Sequence, residues 1–169
     1  MVTTLDPIST ESAPANSEVS GYKLQLPLPE AVAAHPFVAG MKSEHLRLLC
    51  QAAMFKSFCA GEVIFRQGDF ANRCYLIQKG KIALEIPNNK SEPMVAQYLG
   101  AGDLLGWSWL FPPYAWHFDA RAVEPTSAIF FYGTMVRASC DENPEFGCEL
   151  MQRVSEVAIK RLALTRRGD

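Results

Sequence analysis

No apolar run in this 169-residue chain approaches the roughly 18 residues that a membrane-spanning helix needs. Charge is not lopsided either. Sixteen Lys and Arg against eighteen Asp and Glu leave a formal net charge of −2, which gives no global attraction to nucleic acid or anionic lipid. The opening stretch, MVTTLDPISTESAPANSEVSG, lacks the basic start and apolar segment of a secretory signal. There is no CxxC. The cysteines, Cys50, Cys59, Cys74, Cys140 and Cys148, are odd in number and widely spaced, which argues against a zinc site, an iron–sulfur site or a disulfide framework. They read as buried small hydrophobes in a reducing cytoplasm. The histidines, His35, His45 and His117, are scattered, and nothing marks a nucleophile with its base. No metal, cofactor or catalytic residue is expected, and the chain is not read as an enzyme.

What is present is apolar and periodic. With 49 % hydrophobic residues, the length supports one domain with a sizeable core. Residues 1–22, rich in Ser, Thr, Glu, Pro and Ala, read as a loosely attached arm. Pro29-Glu30 predicts a short helix that His35-Pro36 ends. Ser43 is expected to cap a second, amphipathic helix reaching about Met54. From Phe55 to Tyr132, short β-rich runs alternate with turn signals at Gly61, Gly68, Gly80 and Gly100/Gly102, the pattern of an antiparallel sandwich or barrel. Lys79-Gly80 reads as a tight hairpin turn. The body of the domain is placed at 23–140. Residues 141–169 are expected to form a long helix, with Pro144 near its start and an apolar stripe at Phe146, Leu150, Val154, Val157 and Leu164. Arg161 interrupts that stripe.

One stretch stands apart: LLGWSWLFPPYAWHFDARA, from Leu104 to Ala122. It holds all three tryptophans together with Phe111, Tyr114 and Phe118.

Four glycine motifs give these features a common frame. Gly61-Glu62-Val-Ile-Phe-Arg-Gln-Gly68-Asp69, Tyr75-Leu-Ile-Gln-Lys-Gly80-Lys-Ile, Ala101-Gly102-Asp103-Leu104-Leu105-Gly106 and Ala120-Arg121-Ala122 occur in order. The chain thereby resembles the cyclic nucleotide-binding domain superfamily, in particular bacterial regulators of the catabolite-activator/fumarate-nitrate type, over roughly residues 30–165. The resemblance implies a mainly β fold with flanking helices. That fold is an antiparallel β-roll or jelly roll (a double-stranded β-helix) with a short N-terminal helical segment and a long C-terminal helix. In the family the aromatic stretch is the phosphate-binding cassette, where a glutamate binds the ribose 2′-hydroxyl and an arginine the cyclic phosphate.

Here Gly106 is kept, but Trp107 stands at the glutamate position and Trp116 at the arginine position. An indole is an uncharged single donor and performs neither task. Losing an Arg–phosphate pair worth ~1.5–3 kcal/mol, together with the ribose contact, weakens cAMP or cGMP on the order of a hundredfold or more. The candidate ligand residues of this degenerate cassette are Gly106, Trp107, Ser108, Trp109, Trp116, His117 and Arg121. His117 is read as a replacement donor or a neutral structural histidine. Arg121, paired with Asp119 along one strand face, is read as a solvated charge or an anion contact.

Two readings stay open. One is a stand-alone, cytoplasmic regulatory domain that senses a small molecule, a cyclic nucleotide or another planar or anionic effector, and signals to an effector protein. The other is a ligand-free interaction or scaffold module whose pocket the aromatics plug. The resemblance implies a homodimer through Phe146, Leu150, Val154, Val157 and Leu164, although a stripe this wide also fits the β-core, or both, and the break at Arg161 leaves open a helix that packs only within its own chain. The helix-turn-helix that follows this helix in the regulators is not expected, because the chain stops at Asp169, and membrane partners are not expected either.

Overall fold

The computed structural model of the chain describes residues 25–88 and 91–166, with side chains through 163. The expected arm at 1–22 and the side chains of Leu164, Arg166 and Arg167 lie outside them. A short helix, α1 (Leu28–Ala33), leads through a 3-10 turn (Pro36–Val38) to α2 (Ser43–Gln51). Here the expectation is corrected twice. Ser43 is the first helical residue and no side chain caps it. The helix also ends before Met54, because β1 (Ala53–Phe58) is already pairing antiparallel with β8 (Thr126–Tyr132), from Ala53↔Phe131 to Phe58↔Thr126. Pairing along a whole strand outweighs a few residues of helical periodicity.

Between them lie β2 (Val63–Phe65), β3 (Arg73–Lys79), β4 (Lys81–Ile86), β5 (Met94–Gly100), β6 (Leu104–Leu105) and β7 (Asp119–Ala122). They form two four-stranded antiparallel sheets, ordered β1-β8-β3-β6 and β2-β7-β4-β5. The β-roll expected from the glycine motifs is therefore present. The hairpin expected at Lys79-Gly80 is not: β3 and β4 belong to different sheets, and the chain crosses between them at this corner. Gly80 makes the crossing with φ 101°, and a Cβ there would sit 2.4 Å from Thr126 Oγ1 and 2.6 Å from Thr126 Cα. Both the left-handed backbone and the close strand exclude a side chain.

A third layer of helices covers the first sheet. Strand β8 runs directly into α3 (Gly133–Glu142), followed by α4 (Pro144–Arg166). The sequence reading missed α3, whose Ser, Cys, Thr and Asp content is poor in helix formers and which no turn separates from the strand. Asn143 Oδ1 accepts from Phe146 N at 3.2 Å and so caps α4.

From sequence the stripe is assigned to a dimer interface, with the β-core as its alternative partner. That assignment is corrected for Phe146, Leu150 and Val154, which are 0 %, 3 % and 3 % exposed because they pack inside their own chain. Leu150 and Val154 face Cys74, Leu76, Phe131 and Val136 around a small void, and Phe146 lies against His45. Val157 is half-buried, and Leu164 is outside the described side chains. Burying each of the three inside the chain contributes about 1.5–3 kcal/mol, more than an exposed seam would gain without a partner. The face of α4 left open carries Met151, Ile159 and Leu162.

Candidate functional site

Beside the second sheet lies a cavity of about 630 Å³. Three parts of the chain enclose it. Sheet residues Phe65, Leu84, Ile86, Ala96 and Gln97 form one wall. The turns Leu105–Ser108 and Trp116–Phe118 form the second. Ala158, Arg161 and Leu162 of α4 lie across it as the third. Of the residues expected from sequence, the structure brings Gly106, Trp107, Ser108, Trp116 and His117 together here.

Trp116 does not fill this space. It is 3 % exposed and stacks on Phe65, with ring centroids 3.9 Å apart and planes 11° from parallel. The Arg73 guanidinium lies 5.9 Å from the same ring while donating to Tyr75 Oη, Asn72 Oδ1 and Ile64 O. So at the position where the family places a cation, this chain builds wall. Gly106 is tied to that choice: at φ 82°, a Cβ would lie 2.8 Å from Trp116 Cζ3. Ser108 is buried, and its Oγ is 3.1 Å from His117 Nδ1, which engages the exposed histidine with a side chain and not with backbone.

The charged group among the described lining residues comes from elsewhere. Arg161, the residue that breaks the apolar stripe, lies on α4 with its guanidinium 4.6 Å from the Trp107 ring, and its Nη2 donates to Leu104 O. Burial pushes its pKa down from 12.5 to about 10, against the opposing pull of Asp103, so it is still a cation at neutral pH. Sequence reading did not select Arg161. The available signal was a charge at a stripe position, which an apolar interface disfavours but a polar cavity accommodates.

Two expected ligand residues fall outside the cavity. Trp109 is 2 % exposed and lines the helix-side void with Cys74 and Val136, while its carbonyl accepts from Arg137 at 3.0 Å. It follows Ser108 within a 3-10 turn (Ser108–Leu110), which aims successive side chains in different directions. Arg121 points away from the cavity. It pairs with Glu85 at 3.2 Å and donates to Gly61 O, and its expected partner Asp119 instead accepts from Gln67 N at 2.7 Å and faces Arg66 at 3.6 Å. The cross-strand neighbour Ala83↔Arg121 on β4 places Glu85 closer than the same-strand acid.

The cysteines also differ from expectation. Only Cys74 is fully buried, and burial pushes its thiol up to about 12; Cys59 and Cys148 are exposed. Among the described residues no group of His, Cys, Asp or Glu is placed to hold a metal, and no helix is long and apolar enough to cross a membrane.

Comparison with known proteins agrees with this frame. The family model "cyclic nucleotide-binding domain" matches residues 55–143, just over half of the chain. No curated protein matches by sequence. Among solved structures, a provisionally assigned cyclic nucleotide-binding protein from Geobacter metallireducens is 27 % identical with a TM-score of 0.72, covering 81 % of this chain and 99 % of that one. The catabolite activator protein of Thermus thermophilus is 24 % identical with a TM-score of 0.57, over 77 % of this chain and 63 % of that one. The regulatory subunit of a cAMP-independent protein kinase A from Trypanosoma brucei is 17 % identical with a TM-score of 0.61, over 80 % and 49 %. Two antiparallel sheets rolled about one core, glycines at their corners and a match across the whole roll lead to one conclusion: this chain belongs to the cyclic nucleotide-binding domain family.

Proposed function

We propose that the chain is a non-enzymatic regulatory domain that senses a small molecule in the cavity beneath α4 and passes that state to another protein. The observation that carries this reading is the cavity itself. About 630 Å³ remains open at the turn where the family binds its ligand, within the range of ordinary small-molecule sites. Trp107 and Trp116 line it without closing it, which favours an altered site over a plugged one. Cyclic AMP and cyclic GMP are poor ligands in this reading, since neither indole replaces a carboxylate on the ribose or a guanidinium on the phosphate.

The coupling element is α4. Its first half is fastened to the N-terminal helices through Lys42–Glu145, His45–Glu149 and Arg153, which donates to the carbonyls of Phe37 and Ala39. Its last turns border the cavity. A ligand that contacts Ala158, Arg161 or Leu162 acts on the helix directly, and only a ligand with different affinity for two helix positions shifts their balance.

Thermal denaturation with cAMP, cGMP, cyclic dinucleotides and aromatic acids tests the reading. Saturable stabilisation by at least one class, with a change in tryptophan emission, is expected. No stabilisation and unchanged emission with all of them would favour the ligand-free interaction module.

A further inference from the structure

Among the described residues the cavity is lined by one cation, Arg161, and mostly by carbon. Besides the indoles of Trp107 and Trp116, the polar side chains among the described lining residues are Gln97, Ser108, His117 and Arg161, and Ser108 and His117 already bond to each other at 3.1 Å. The remaining surface is aliphatic and aromatic, led by Phe65, Leu84, Trp107 and Phe118. A ribose with its hydroxyls, or a phosphate with several oxygens, would leave polar groups buried against carbon, each unmade hydrogen bond costing about 1–3 kcal/mol. A flat apolar body with a single anionic end makes no such demand.

Arg161 meets the needs of that anionic end. Its guanidinium carbon lies 4.6 Å from the centre of the Trp107 ring, a cation–π contact, and Leu104 O accepts from its Nη2. A guanidinium has five N–H donors, and its fork geometry suits a carboxylate held bidentately. Trp107 also borders the space in which an aromatic body would lie. This residue pair reverses the family's arrangement: the cassette supplies the ring and the C-terminal helix supplies the charge.

We propose that the site takes a planar aromatic monocarboxylate, with Arg161 on the carboxylate and Trp107 beside the ring. This rests on the small-molecule reading above and names the class of ligand for it. Because Arg161 belongs to α4, the same contact joins ligand occupancy to the last turns of the helix.

Calorimetric titration of the full chain with benzoate, 1-naphthoate, 2-naphthoate and indole-3-acetate tests the assignment, each acid run beside its neutral primary amide. At least one acid is expected to bind about tenfold or more tighter than its amide. Arg161→Gln should remove that preference by weakening the acid much more than the amide. Equal binding of acid and amide, an acid preference that survives Arg161→Gln, or binding of cAMP alone would overturn the carboxylate assignment and leave small-molecule sensing standing. No saturable heat from the acids, the amides, cAMP, cGMP or cyclic dinucleotides would overturn both. Should Arg161→Gln not fold, the acid-against-amide comparison on the unaltered chain decides the matter.

Discussion

At position 116 the indole carries a cost beside its gain. Its stack on Phe65 buries a large ring, yet Trp116 Nε1 is buried and has no hydrogen-bond partner among the described residues. Such an orphan donor costs about 1–3 kcal/mol, which aromatic burial offsets. Gly106 is locked to the same ring. Gly106→Ala forces a Cβ to 2.8 Å from Trp116 Cζ3 in a left-handed backbone, and should destabilise by about 2–4 kcal/mol in urea denaturation. The double variant Gly106→Ala/Trp116→Phe should recover part of that loss, because phenylalanine is shorter and carries no orphan donor. Strictly additive losses would mean that the contact is not the source of the strain. The identities of Trp107 and Trp116 as departures from the cassette were legible from sequence alone. Their positions were not, because a motif gives the place along the chain and not which side of a turn a ring occupies. Trp109 and Arg121 were misjudged for that reason.

Among the elements, the joint between the N-terminal segment and β3 depends on pH. His35 is 5 % exposed; its Nδ1 accepts from Phe37 N at 3.2 Å, and its Nε2–H donates to Ile77 O at 3.1 Å. That pattern fits the neutral ring, and protonating Nδ1 would turn its acceptor into a donor. Burial holds its pKa below the ordinary 6.5, against the raising effects of Ile77 O and Asp103. Below pH 6.5 the unfolded chain therefore takes up the proton before the folded one. The contribution of His35 to stability is complete above that pH and is lost as pH falls toward the folded value. Urea midpoints measured from pH 7.5 down to 5 should decline in the unaltered chain and decline less in His35→Gln, which keeps an amide donor without the titration; parallel curves would contradict this. The long helix shows the limit of pattern. Its apolar period predicted α4, but a stripe that fits a partner helix fits the interior of its own chain as well, and there Leu150 and Val154 meet sheet residues while Phe146 meets His45 of α2. The Lys79-Gly80 corner was misread similarly: turn chemistry marks a reversal without saying which sheet receives the next strand.

For the whole molecule, the roll was legible because its four glycine motifs specify corners, and corners fix the order of strands. The site was half legible. Its aromatic turn lies in one continuous stretch, whereas its cation is contributed by Arg161 from α4, more than fifty residues from Trp107 along the chain and visible in sequence only as a flaw in a stripe. The family frame is thus retained while the electrostatics of the cavity have moved from turn to helix. Competition calorimetry tests that transfer most directly, with cAMP titrated into the unaltered chain in the absence and presence of the tightest aromatic carboxylate of the panel. The account predicts that the carboxylate binds one-to-one and that cAMP binds at least about tenfold more weakly and is displaced by it. Tight one-to-one binding of cAMP that the carboxylate does not displace would contradict it.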